Sequence, residues 1–431
     1  MREGYKKTEL GEIAVDWGCA NTEEILKDEK GSLKIGPFGS QLKKSFLVEK
    51  GYKVYGQENV FNNDFNIGNR YIDKERFNKL SSCKLKSGDL VISMMGTVGK
   101  TAIVPFNIEE GIMDSHLIRL RVNEDIYDKN LLAQLIRNSE LVKKQIRKLS
   151  VGGIMEGLSS TIIKQLKFPI PPLHEQQKIA DILSTVDIQI DQTDKLIEKT
   201  KDLKKGLMQK LLTKGIGHTE FKKTEVGEIP VEWEVRLLGN ICNLIDGDRS
   251  SNYPSPNEIV DKGILFLSTS NIKDNKLIYN ECKFITEQKF NSLRKGKLEK
   301  EDLIITLRGT IGSVAKFNSD KYQTGFINAQ MLIIRSLEIF PNYLCKYLIS
   351  DISKKQIEII SSGSAQPQLT KKDLSNLKIA VPSNKEQKQI ANILSSVDEK
   401  VQQYETKKEK LQELKKGLMQ QLLTGKKRVK V

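Results

Sequence analysis

The segment "SMMGTVGKT" at residues 93–101 ends in Gly99, Lys100 and Thr101, the residue types that close a phosphate-binding loop. In such a loop glycine-rich backbone wraps a phosphate chain, the lysine meets its charge and the hydroxyl meets magnesium. A further glycine is needed ahead of the Gly-Lys pair, and Met94 stands there instead. A metal site finds no better support. Cys19, Cys83, Cys242, Cys282 and Cys345 are scattered and never spaced as CxxC, and His116, His174 and His218 lie far apart. Neither a disulfide framework nor a zinc knuckle is expected. The Asn/Asp-Pro-Pro-aromatic signature of adenine-amino methyl transfer is also missing, because "IPPL" at 170–173 lacks both flanks.

A comparison of the chain with itself shows what the Gly-Thr segment is for. "EQQKIADILSTVD" at 175 returns as "EQKQIANILSSVD" at 386, and "LKKGLMQKLLT" at 203 returns as "LKKGLMQQLLT" at 414, the same offset of 211 residues. "KKTELGEIAVDW" at 6 returns as "KKTEVGEIPVEW" at 222. Between these anchors only a skeleton persists: "GDLVISMMGTVGK" at 88 matches "EDLIITLRGTIGS" at 301, and "DSHLIRLR" at 114 matches "NAQMLIIR" at 328. The chain is two copies of one module. In the second copy Ser313 replaces Lys100 and Val314 replaces Thr101, so the shared part is Gly-Thr-aliphatic-Gly, a tight turn after an apolar strand.

The elements around that turn read as a mixed α/β (α+β) module. Strand signals are "YKVYG", "DLVIS", "TAIVP" and "HLIRLRV" in the first copy and "ILFLS", "DLIIT", "SVAKF" and "QMLIIR" in the second. Helix-period stretches follow at 130–149 and 341–360, then a polar Gly/Ser loop, a short helix and a strand ending in proline.

After that proline each copy carries one long helix. Ser383 with Glu386 predicts a capping box, and Glu175 holds the same third position in the first copy, where an acid favours the helix dipole. Apolar residues then recur with 4,3 spacing: Ile179, Leu183, Val186 and Ile190, and again Ile390, Leu394, Val397 and Val401. This is a coiled-coil seam, and each helix's expected partner is the other copy, running antiparallel. The predicted division is 1–170, an α/β domain; 171–215, a long helix; 216–381, a second α/β domain; and 382–431, a second long helix.

Charge separates the parts. Of the net +15, residues 175–214 carry +1 and residues 386–428 carry +4, leaving +10 on the α/β portions. A polyanion is the expected partner there, and nucleic acid and an anionic membrane face both qualify. No apolar run is long enough to span a bilayer and the start lacks a signal-peptide core, so a cytoplasmic protein is expected.

Taken together, "PIPPLHEQQKIADIL", "LKKGLMQKLLTKGIG", "FKKTEVGEIPVEW" and the two-copy order resemble the specificity subunit of type I restriction-modification systems over the full length. The resemblance implies two target recognition domains with curved sheets, related by pseudo-twofold symmetry and held apart by antiparallel helices. Each would read one half of a bipartite double-stranded DNA target. It implies docking of two modification subunits that bind S-adenosylmethionine and methylate adenine, and of two restriction subunits that use ATP and magnesium. The chain itself would be a targeting subunit without catalysis or cofactor. The helices would then act as a ruler for the unread base pairs between half-sites.

Base readers should lie where the copies diverge and carry groove-reaching polar groups. In the first copy these are Ser40, Gln41, Lys43, Lys44, Gln57, Asn59 and Lys100. In the second they are Arg249, Ser250, Thr269, Asn271, Arg308 and Gln366. Three other readings compete: a nucleotide hydrolase built on the Gly-Lys-Thr segment, a coiled-coil adaptor with no DNA role, and the targeting part of a related system with different catalytic subunits. Lys100→Ala would cost the first of these its nucleotide binding.

Overall fold

The computed structural model describes residues 3–95, 97–150, 158–250, 253–361 and 368–429. The chain divides into two units, Met1–Asp194 with Thr406–Val431, and Lys195–Glu405. Each unit therefore takes one α/β portion and a stretch of both long helices, a different grouping from four consecutive segments.

In the first unit the strand Leu90–Ser93 is buried along its whole length, as its unbroken apolar run requires. It pairs antiparallel with Leu117–Leu120 on one side and Thr101–Ile103 on the other, and Leu33–Ile35 completes the sheet. Side-chain alternation serves two cores at once. Leu90, Ile92, Ile118 and Leu120 join Leu131 and Leu135 of the helix Lys129–Asn138. Val91 and Leu117 face the other way, onto Val54, Tyr55 and Ile112 of a second sheet in which Gly111–Met113 runs parallel to Tyr52–Tyr55.

The second unit repeats this plan. Leu303–Thr306 sits between Met331–Ser336 and Val314–Lys316, with Cys242–Asp246 at the edge. Leu303 and Ile305 point into one core while Ile304 points into the other. All eight strand segments expected from alternation are present. The helical stretches are broken, however. Ser139 takes an extended backbone and accepts from the Leu141 amide, so 130–149 becomes Lys129–Asn138 and Glu140–Leu149. A serine that caps competes with helix continuation. The second copy breaks likewise into Pro341–Leu348 and Asp351–Ser361.

The long helices run Leu173–Leu211 and Asn384–Leu422. Their first turns depart from the expected seam. Ile179 and Leu183 are fully buried in the first unit's α/β core, and Ile390 and Leu394 in that of the second unit. Val186 is buried outside those clusters, while Ile190, Val397 and Val401 are half-buried. The α/β core offers a wider apolar surface than one facing helix could, so it captures the first part of the stripe. Beyond it, the helices meet through ion pairs. In the first unit Lys415 reaches Asp187 at 2.5 Å and Lys408 reaches Asp194 at 2.6 Å. In the second, Lys204 reaches Asp398 at 2.5 Å and Lys201 reaches Glu405 at 2.8 Å. Numbers rise on one helix as they fall on the other, so the pairing within each unit is antiparallel. Among the described residues no helix is long and apolar enough to cross a membrane.

Candidate nucleic-acid interface

The Gly-Thr segment is a hairpin turn. It leaves the strand Leu90–Ser93 and enters the antiparallel strand Thr101–Ile103, with Ile92 opposite Thr101. The Ser93 hydroxyl donates to the Thr97 carbonyl at 2.7 Å and accepts from the Lys100 amide at 3.1 Å. Gly99, at φ +78°, lets its own amide return to the Ser93 carbonyl at 3.0 Å. The second copy builds the same turn on Thr306. Its hydroxyl accepts from the Ser313 amide at 3.0 Å, and Gly312, at φ +76°, donates to the Thr306 carbonyl at 2.9 Å. A phosphate loop requires a helix N-terminus directly after the lysine, so that free amides converge on the anion. A strand occupies that place in both copies, which removes the nucleotide-hydrolase reading.

In the first unit, the loop carrying Ser40, Gln41, Lys43 and Lys44 is pressed against residues 114–116. A Cβ on Gly36 would lie 1.8 Å from the Asp114 carbonyl oxygen, so only glycine fits. Ser40, Gln41, Lys43 and Lys44 are all exposed. Gln57 is half-buried and donates through Nε2 to the Met95 carbonyl at 2.6 Å, tying it to the hairpin. Asp114 stiffens the same region: it accepts from the His116 amide at 3.0 Å and from Arg70 at 3.0 Å. Lys100 is exposed but lines a different surface, a groove shared with Arg137 and Lys143.

In the second unit the equivalent close approach is Gly247, where a Cβ would lie 2.6 Å from the Asn328 carbonyl oxygen. Arg249 is exposed and donates to the Ala329 carbonyl at 2.8 Å, and Ser250 is exposed beside it. Buried Asp248 anchors this loop by accepting from the amides of Ser250 at 2.9 Å and Arg294 at 3.0 Å. Hydrogen bonds from Ser250, then from the Arg294 amide, hold its carboxyl down at about 2. Thr269 is half-buried, and exposed Arg308 donates through Nε to Gln368 at 3.1 Å.

Two expected readers are corrected. Asn59 is 1% exposed, and Asn271 is 4% exposed. The Asn59 Oδ1 accepts from the Gly56 amide at 2.9 Å, and its Nδ2 donates to the carbonyls of Asp64 and Ile67 at 3.0 Å. Asn271 does the same work on Ser268 and Ile278. Both amides are consumed by backbone, so neither can reach a base. Gln366 lies outside the described residues. Conversely, the expected readers leave out exposed Phe38 and His116 in the first unit and Gln330 and Gln368 in the second, while exposed Met95 is marked in the sequence by its exchange for Arg308 between the copies. Phe38 and Met95 could meet a thymine methyl, and the others carry hydrogen-bonding edges. Alignment of the copies held the signal for three of them: Met95 stands opposite Arg308, and His116 and Gln330 stand opposite each other. Among the described residues no cluster of His, Cys, Asp or Glu could hold a metal ion.

Two α/β units with one topology, each presenting a differently furnished loop surface beside the same hairpin, define a paired recognition protein. The family model for the type I restriction modification DNA specificity domain matches twice, at residues 37–201 and 230–416, and the chain belongs to this family. It is 32% identical to the putative type I restriction enzyme MjaX specificity subunit of Methanocaldococcus jannaschii, covering 99% of this chain and 97% of that one. It is 24% identical to the EcoKI specificity subunit of Escherichia coli K12 over 72% of this chain and 67% of the other. Its fold matches the crystal structure of a type I restriction-modification S subunit from M. genitalium with a TM-score of 0.58 at 17% identity, covering 95% and 96% of the two chains.

Proposed function

We propose that the chain reads a bipartite DNA duplex as a type I specificity subunit, one half-site per unit. The first unit reads with Ser40, Gln41, Lys43 and Lys44, together with Phe38, Gln57, Met95 and His116. The second reads with Arg249, Ser250, Thr269 and Arg308, together with Gln330 and Gln368. The observation that carries this is the paired close approach, Gly36 on Asp114 and Gly247 on Asn328, which holds the same loop in the same place while its side chains differ. A rigid backbone with exchangeable polar tips is what direct base readout demands.

Modification subunits bring S-adenosylmethionine and methylate adenine, restriction subunits bring ATP and magnesium, and the chain supplies the address in the cytoplasm. Mapping methylated adenines genome-wide in a host carrying this chain and its modification partner tests the reading. One motif with two fixed half-sites and a constant gap is expected. Methylation without such a motif overturns it. An adaptor with no DNA role would in addition fail to shift a duplex carrying the mapped motif in electrophoresis.

A further inference from the structure

The two reading surfaces correspond point by point. Ile35 lies opposite Ile118 and Asp246 opposite Leu332, matched positions of the repeat, so the edge strands share one register. Phe38 and Arg249 each stand three residues beyond that pair. The hairpins match as well: the Met94 amide donates to the His116 carbonyl at 2.9 Å, and the Leu307 amide to the Gln330 carbonyl at 2.8 Å. Met95 and Arg308 each follow by one residue. Both points flank the same short segment, 114–116 in the first unit and 328–330 in the second.

Each point exchanges an apolar tip for a guanidinium. Phe38 and Met95 are 58% and 43% exposed, large apolar groups left to water. In their places the second unit has exposed Arg249 and Arg308. Among the described residues Arg308 spends only its Nε, on Gln368 at 3.1 Å, which leaves Nη1 and Nη2 as a planar fork. Arg249 spends only Nη2, on the Ala329 carbonyl at 2.8 Å. The loops beneath are stiff. Buried Pro37 fixes its own φ in the first unit, and Asp248 in the matching place accepts from the Arg294 amide at 3.0 Å.

We propose that these two points set different base preferences: Phe38 and Met95 take the 5-methyl groups of thymines in one half-site, and Arg249 and Arg308 take the N7 and O6 edges of guanines in the other. This rests on reading the chain as a specificity subunit. A ligand common to both units, such as the DNA backbone, would need the same chemistry at both. A phenyl ring and a thioether cannot hold a phosphate, so the exchange belongs to what differs between half-sites, the bases. On the major-groove edges the thymine methyl is the apolar group, and the paired acceptors of guanine fit a guanidinium fork.

Base analogues test this on the full chain with its modification subunit, bound to a duplex carrying the mapped motif. Replacing guanines of the second unit's half-site by 7-deazaguanine, which lacks N7, should lower affinity about tenfold. Replacing thymines of the first unit's half-site by uracil, which lacks the methyl, should lower it about fourfold. Arg249→Ala with Arg308→Ala should abolish the response to 7-deazaguanine and keep the response to uracil. Phe38→Ala with Met95→Ala should do the reverse, so each pair carries its control in the other half-site. A wild-type complex indifferent to 7-deazaguanine overturns the proposal, and so does a response to either analogue that survives loss of its own pair. Equal loss of target and scrambled duplex on removing the arginines would give them to phosphates and overturns it too. A wild-type complex that prefers no duplex overturns the underlying reading, and the base assignment with it.

Discussion

The two units close on their long helices by the same joint with one exchanged part. In the first, Trp17 donates its indole N–H to Glu175 at 3.1 Å, and Arg428 grips both Glu175 and Asp16. In the second, Trp233 donates to Glu386 at 3.0 Å, and His218 stands between Glu386 at 3.0 Å and Glu232 at 2.9 Å. Both indoles are almost fully buried. Arg428 forms two forks, with contacts of 2.8 and 2.9 Å to each carboxylate, which only a planar guanidinium can do. The imidazole offers one nitrogen to each acid. The difference shows what identity between the copies records: the Trp–Glu joint is kept because it fixes how a long helix leaves its α/β portion, while the cation over it was free to change.

The largest effect should come from the shared part. Trp17→Ala or Trp233→Ala removes a buried ring and one donor of a buried carboxylate, costing about 3–5 kcal/mol. The loss should appear in the unit that carries the substitution, as accelerated hydrogen exchange there with the other unit unchanged. Equal loss in both would break the picture of two separate joints.

The exchanged part should give a smaller and unequal effect. Arg428→Ala leaves Glu175, whose side chain is 2% exposed, without its cation. Because the Arg428 side chain is itself 46% exposed, the cost falls below that of a fully buried pair, at about 2 kcal/mol. After His218→Ala, the Glu386 carboxylate still accepts from Trp233 and from the Ile216 amide at 2.9 Å, so about 1 kcal/mol is expected. Thermal melts of the two variants should rank in that order; equal losses would mean that the forks add nothing.

How much of this was legible in the sequence depends on how local each cause is. Strand alternation is local, and "DLVIS" and "DLIIT" announced the central strands. The copy-to-copy exchange of Lys100 for Ser313 likewise marks the turn in the sequence alone. Sequence pattern alone makes Glu386 the acid of a capping box with Ser383 and Glu175 a helix-dipole acid. The Glu386 amide does donate to the Ser383 hydroxyl, its cap, at 3.3 Å, but the Glu386 carboxylate turns away to a tryptophan 153 residues distant, which no local pattern reports. The same blindness made Asn59 and Asn271 look like readers. An asparagine in a divergent-looking loop is polar whether its amide faces solvent or closes its own backbone, and only the fold decides. The first part of the seam went to the α/β cores for a related reason, since 4,3 spacing specifies a stripe without naming what covers it.

The finest test turns one joint into the other. In the first, burial pushes Glu175 upward, but hydrogen bonds from Arg428 and Trp17 outweigh it and hold its carboxyl below the ordinary range. Arg428 also holds Asp16 low. As pH falls through about 4, the unfolded chain takes up these protons before the folded one does, so the joint's stabilisation is complete above that range and drains away below it. Arg428 cannot titrate, so the joint has no matching loss on the alkaline side near neutrality. Arg428→His should create one. An imidazole between two carboxylates binds its proton more tightly folded than unfolded, so its contribution is complete below about pH 6 and disappears as pH rises through the imidazole range. Melts of the variant between about pH 5 and 8 should therefore lose stability with rising pH where the wild-type first unit is flat. A flat variant would mean that position 428 is held by the backbone of the preceding turn, and that the cation over the joint is incidental in both units.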